Sequence, residues 1–164
     1  MEIVFSPWRL QYVKDPDKQA GGCVFCRAFT APPSLDNLVV YRDDATAVML
    51  NKFPYTNGHL LVIPRAHVDT LTGLDAAARA SAIETVAYCE HLLRQVYNPH
   101  GFNVGLNLGE AAGAGIIDHL HFHIVPRWTG DTNFTTLFGK LRVIPEDLQG
   151  LFERLRAEFP ERIG

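Results

Sequence analysis

The chain has 164 residues, of which 47% are hydrophobic and 20% charged, and its formal net charge is −3. That balance describes an ordinary globular domain with enough apolar sequence to bury a core. It argues against a nucleic-acid groove, which needs accumulated positive charge, and no run of about 18 apolar residues offers a membrane span.

The first residues, MEIVFSPWRLQYV, lack the basic and continuously apolar regions of a secretory signal, so the chain reads as cytoplasmic. No linker, repeat or disordered tail divides it, and residues 1–164 are expected to form one domain. Cys23-Val24-Phe25-Cys26 has the spacing of half a metal site or of a redox pair. A thioredoxin-like dithiol would stand at a helix start in a βαβ setting, which this region lacks, so metal binding is favoured and two more ligands are needed. Cys89, the third cysteine, lies in a helical pattern and reads as core.

Leu38 to Arg42 and Ala45 to Leu50 flank Asp43-Asp44 as a hairpin, and His59 to Ile63, closed by Pro64, is a third strand. From Leu74 to Tyr97 apolar residues recur at Ile83, Val86, Ala87, Leu93, Val96 and Tyr97, an amphipathic helix stopped by Asn98-Pro99. His91 and His100, on that helix and past its end, read as structural. Phe102 to Leu108 alternates, with Phe102, Val104, Leu106 and Leu108 on one face and Asn103, Gly105 and Asn107 on the other. The glycine-rich loop from Gly109 to Gly115 offers main-chain N–H groups that suit a close anion, although a plain hairpin loop has the same composition. His119 to Val125 alternates again, with Leu120, Phe122 and Ile124 inward and three histidines outward. Pro145 to Phe159 looks helical, with proline in its first turn. Together these predict an α+β domain with a mainly antiparallel sheet of about five strands, one long helix and a C-terminal helix.

Three histidines in alternate register are the sharpest chemical signal. In an extended strand adjacent members stand about 6.6–7 Å apart and the outer pair about 13 Å apart. One ion about 2 Å from every ring nitrogen would be strained for all three, though a neighbouring pair could share one. Divided labour fits better. A neutral imidazole is a good nucleophile toward phosphorus and a good leaving group afterwards, and the central His121 suits that part.

The run His119-Leu120-His121-Phe122-His123-Ile124-Val125 resembles the signature of the histidine-triad (HIT) superfamily. Asn51-Lys52-Phe53-Pro54, Gly58-His59, the strand HLLVIP, the long helix and NVGLNLGEAAGAG follow in the same order, so the resemblance covers most of the chain. FPYTNGHLLVIPRAHV and HLHFHIVPRWTGDTNF are similar to the bacterial diadenosine tetraphosphate phosphorylase and hydrolase branch. The resemblance implies a nucleotidyl-histidine intermediate on His121, with His123 stabilising phosphoryl oxygens or assisting the leaving group. His119 would orient the site, partly through its carbonyl, and His59 would lie beneath the triad. It further implies ribose binding by Asn51, phosphate contact by Asn107, and a base pocket of Val24, Phe25, Ala28 and Met49. The loop would reach phosphate through Gly113, Ala114 and Gly115. Here the chain departs from the eukaryotic pattern, because Gly115 or Ile116 replaces a polar side chain and the loop has one extra residue. Zinc-containing bacterial members complete their site with the histidine after the IP turn and the first triad histidine. A structural zinc (Zn2+) on Cys23, Cys26, His67 and His119 is therefore expected.

The implied partners are an adenine nucleotide or dinucleoside polyphosphate and a second copy of the chain, with no nucleic acid and no membrane. Phosphate or water as the final acceptor stays open, since both outcomes share one first half-reaction. Two other readings also stand, a nucleotide-binding or zinc-dependent interaction module with little catalysis, and a metallohydrolase that uses an open zinc position.

Overall fold

A computed structural model describes residues 22–131 and 144–163. The N-terminal stretch read for a leader, and the last residues of HLHFHIVPRWTGDTNF, lie outside them. A single helical turn, α1 (Val24–Arg27), carries the cysteine pair. Strands β1 (Val39–Arg42) and β2 (Thr46–Leu50) form the expected hairpin. Its turn is closed by Asp43, whose Oδ1 accepts the N–H groups of Ala45 at 2.8 Å and Thr46 at 2.7 Å. Then come β3 (Leu60–Pro64), the long helix α2 (Ala76–Tyr97), β4 (Gly101–Leu106), β5 (Phe122–Arg127) and α3 (Leu148–Glu158). The five strands form one antiparallel sheet in the order β1-β2-β3-β5-β4, an α+β arrangement as expected.

The sheet is covered on both faces, which explains why β2 and β3 read as unbroken apolar runs. Val48, Leu50, Leu60 and Val62 face the main core, with Val86, Cys89 and Leu93 of α2 and Leu151 and Leu155 of α3. Their neighbours Ala47, Met49, Leu61 and Ile63 point to the other side and pack with Phe25 and Ala28. Asp75 caps α2 by accepting the Ala78 N–H at 2.7 Å, and Asn98 ends the helix in the left-handed region at φ 45°.

Four expectations need correction. The buried stripe of α2 runs through Ala82, Val86, Cys89 and Leu93, while Ile83 is 52% exposed and Ala87 is also exposed, because each sits about 100° around the helix from its preceding neighbour. Strand β4 stops at Leu106, and Val104 is 50% exposed, since β4 is the sheet edge and nothing among the described residues covers that part of it. Strand pairing of β5 starts only at Phe122, so His119 and His121 precede it, and both rings are buried rather than turned to solvent. Helix α3 begins at Leu148, beyond Pro145, because Asp147 caps it by accepting the Gly150 N–H at 2.8 Å. The corrected stripe predicts that Leu93→Ala lowers the unfolding free energy by about 2–5 kcal/mol. Ile83→Ala should stay within about 0.5 kcal/mol, both read from urea titrations.

Candidate functional site

In the sheet register His123 lies opposite Leu61 on β3 and Gly105 on β4. The third histidine therefore shares the face of the smaller cluster, the side that α1 covers. The approach to β5 is pinned by the Leu120 N–H, which donates to the Val68 carbonyl at 2.8 Å. On either side of that bond, the rings of His119 and His121 pack against Phe25 of α1.

His121 is 5% exposed, and its Nδ1 lies 3.0 Å from the His119 carbonyl oxygen. A carbonyl only accepts, so Nδ1 carries the proton and Nε2 keeps its lone pair. Burial lowers the His121 pKa against the opposing pull of that hydrogen bond, so the ring is neutral at pH 7. The ring of Phe25 packs 4.7 Å from it, and that of His123 lies 4.9 Å away.

The same bonding logic runs through His59 and His123. His59 is fully buried, and its Nδ1 accepts the Tyr55 main-chain N–H at 3.1 Å. Its proton therefore sits on Nε2, which donates to His123 Nδ1 at 3.0 Å. His123 in turn holds its proton on Nε2. The Asn51 amide rests against the His59 ring, and Asn51 Oδ1 accepts the Phe53 N–H at 2.9 Å. Asn51, His59 and the triad are thus brought together.

His119 takes a different direction. Its Nε2 donates to the Pro64 carbonyl at 2.8 Å, which leaves Nδ1 as the lone-pair nitrogen. Nδ1 stands 3.4 Å from the Cys23 sulfur and 3.6 Å from the Cys26 sulfur, and His67 Nδ1 is 3.2 Å from Cys26. Donor atoms of all four residues lie within 4.8 Å of one another. A tetrahedral ion with S and N ligands at about 2.3 and 2.05 Å would separate such pairs by about 3.6 Å, so the donors are set for one ion. Burial and the neighbouring Cys23 push the Cys26 thiol pKa up, and a bound cation would favour its thiolate. Burial lowers the His119 pKa, keeping that ring in its ligating form.

Of the expected base pocket, Phe25, Ala28 and Met49 are buried together in the small cluster, whereas Val24 is 37% exposed on the outer side of α1. Asn107 follows β4 and is half-buried. In the glycine loop, Gly113 N–H donates to the Glu110 carbonyl at 2.8 Å and Ala114 N–H to the Gly109 carbonyl at 3.2 Å. Those two groups serve the loop itself, and Gly109 and Gly113 hold positive φ values that let it turn.

The HIT domain family model matches residues 33–130. The AP-4-A phosphorylase of Mycobacterium tuberculosis is 36% identical over 97% of this chain and 85% of that protein. The chain belongs to the HIT family. Among solved structures, a Zn-bound HIT family protein from Mycobacterium smegmatis superposes with a TM-score of 0.66 at 30% identity, covering 83% of this chain and 91% of that one. A hypothetical histidine triad nucleotide-binding protein from Sulfolobus tokodaii gives a TM-score of 0.64 at 29% identity, covering 82% of this chain and 87% of that one. Among the described residues no helix is long and apolar enough to cross a membrane.

Two contributors to this HIT site were not read from the sequence, the Tyr55 N–H and the Pro64 carbonyl. Both act through the main chain, which carries no side-chain signature, although the fixed spacing to His59 and His67 marks their neighbourhood. The cluster geometry predicts one tightly held divalent ion per chain by elemental analysis, with occupancy falling in Cys26→Ser and in His67→Ala. Chelation is expected to lower the melting temperature. Metal-free protein that melts at the same temperature as protein supplied with zinc would remove the cluster as a metal site.

Proposed function

We propose that this HIT protein is a nucleotidyl transferase or hydrolase that cleaves diadenosine tetraphosphate, or a related adenine nucleotide, at the α-phosphate. The observation that carries the reading is the His121 ring, buried and neutral, with Nδ1–H committed to the His119 carbonyl and a lone pair left on Nε2. The likeness to a relative named AP-4-A phosphorylase supports the substrate class.

In the first step a bond forms between His121 Nε2 and the α-phosphorus as the bond from phosphorus to the bridging oxygen breaks, releasing ATP and leaving AMP on His121. The N–H of His123 Nε2 donates to a phosphoryl or leaving oxygen, in the manner of an oxyanion donor. In the second step an acceptor oxygen attacks the same phosphorus and the P–N bond breaks, returning the ring to its starting tautomer. Inorganic phosphate as acceptor gives ADP, and water gives AMP. Asn51 would hold the ribose, and Phe25, Ala28, Met49 and Val24 the base. Asn107 and the loop at Gly113, Ala114 and Gly115 would approach the phosphates.

Cys23, Cys26, His67 and His119 would hold a structural zinc ion, a reading supported by the relative described as Zn-bound. With four protein ligands the ion would supply cross-linking rather than an open Lewis-acid position. We take residues 1–164 to form one HIT domain that works in the cytoplasm, where thiols stay reduced. The exposed edge of β4, with Val104 half out of contact, supports a homodimer joined there.

The test is a product assay with and without phosphate, using wild type and His121→Ala. Removing a covalent nucleophile should cost at least about a thousandfold in turnover. Acid-labile label on histidine after quenching marks the intermediate. His121→Ala at wild-type rate, or a protein that binds nucleotide and never forms the labelled histidine, would replace this reading with that of a binding module.

A further inference from the structure

The loop of residues 51–58 joins β2 to β3 and brings the Tyr55 N–H onto His59, and it is tied down at several points. Asn51 Oδ1 accepts the Phe53 N–H at 2.9 Å, and Thr56 Oγ1 donates to the Pro126 carbonyl at 2.7 Å. A further tie comes from much later in the chain, where Asn57 Nδ2 donates to Glu146 Oε2 at 3.2 Å. Glu146 precedes α3 and is itself held from two more directions. Oε2 accepts the Tyr97 hydroxyl from the end of α2, and Oε1 accepts Arg154 Nε at 2.9 Å from α3. Its side chain is only 16% exposed. Burial opposes the charge, yet the hydrogen bonds from Tyr97, Asn57 and Arg154 keep the carboxyl below its ordinary pKa, so Asn57 donates to a charged acceptor at neutral pH.

The position of Asn57 gives this grip a consequence for the site. Asn57 lies midway between Tyr55, which donates the N–H, and His59, which accepts it. The following Gly58 turns at φ 73°, and a Cβ there would meet Leu93 at 3.2 Å and Pro126 at 3.4 Å. The turn thus has no slack on its inner side. Asn57 is thus enclosed by the contact between Tyr55 and His59, and His59 in turn bonds His123.

We propose that Glu146 is a positioning residue, gripping Asn57 so that the Tyr55 N–H stays on His59 Nδ1 and His123 keeps its proton on Nε2. The proposal rests on the reading of His123 as a group facing phosphate. It assigns to the C-terminal segment a part in the reaction in addition to covering the sheet.

The test compares wild type, Glu146→Ala, Glu146→Gln and Phe159→Leu in the full chain with zinc supplied. Phe159 stacks on Tyr41 at 5.3 Å, so its truncation loosens the same segment without touching Glu146. Nitrogen-15 spectra of the histidine rings report tautomers, and steady-state kinetics with diadenosine tetraphosphate separate kcat from KM. Glu146→Ala should give mixed tautomers at His59 and His123 and lower kcat at least about tenfold, with KM within about twofold. Glu146→Gln, which keeps one acceptor oxygen, should move both readouts in the same direction by less. Phe159→Leu should lower the melting temperature and leave ring spectra and kcat as in wild type.

Wild-type tautomers and kcat in a folded Glu146→Ala protein would overturn the proposal. So would the same changes in Phe159→Leu at matched stability loss, or failure of both Glu146 variants to fold while Phe159→Leu folds. If the wild-type protein does not turn over the dinucleotide, the reaction reading fails, and the ring spectra still decide whether Glu146 positions His59 and His123.

Discussion

The hydrogen bond from His121 Nδ1 to the His119 carbonyl is the contact on which the site depends. It decides which nitrogen of the central ring holds the proton, and it does so with a main-chain atom, whose direction is set by the residue that carries it. That residue is anchored through its own ring, with Nε2 on the Pro64 carbonyl and Nδ1 among Cys23, Cys26 and His67. His119 therefore joins two tasks in one residue. One residue thus touches both the four-donor cluster and the central imidazole, the first through its ring and the second through its carbonyl.

A parallel arrangement supports the third ring from the opposite side. The main-chain N–H of Tyr55 fixes His59, and His59 fixes His123, again by a donor that cannot reverse its polarity. Each triad ring is thus assigned its tautomer by the main chain, directly or through one intermediate. Main-chain groups held in a sheet and its connecting turns are poor at reorganising, which is the property that the proposed phosphate site would need.

Much of this was legible in the sequence. Alternation placed the strands, and Asn98-Pro99 ended the long helix where the structure ends it. The spacing of the cysteine pair pointed to a metal site, and the order of HIT motifs named His67 and His119 as its completion, which is where the four donors converge. What periodicity could not supply was burial from outside the strand. Val104 alternates correctly yet lies on an edge, and the histidines alternate correctly yet are covered by α1, whose Phe25 comes from almost a hundred residues earlier in the chain. Pro145 lies ahead of its helix, which starts at Leu148. Proline suits a first helical turn, but the aspartate two residues later offers a stronger start through its side-chain oxygen.

On the proposed reading, two neighbouring imidazoles of opposite polarity would also resolve a conflict inherent in attacking a polyanion. Negative phosphoryl oxygens draw protons onto nearby histidines, and a protonated Nε2 on His121 could not attack. Burial works the other way on His121, and its remaining nitrogen is already spent on a carbonyl, so the cost of charging the ring falls on a desolvated group. His123, only 4.9 Å away, would meet the same anion with an N–H that is already in place and need not gain a proton to donate. On the proposed reading the released polyphosphate is stable as an anion, so a fixed neutral donor suffices on the leaving side. The division between a lone pair on one ring and an N–H on the next then follows from where two main-chain groups happen to stand.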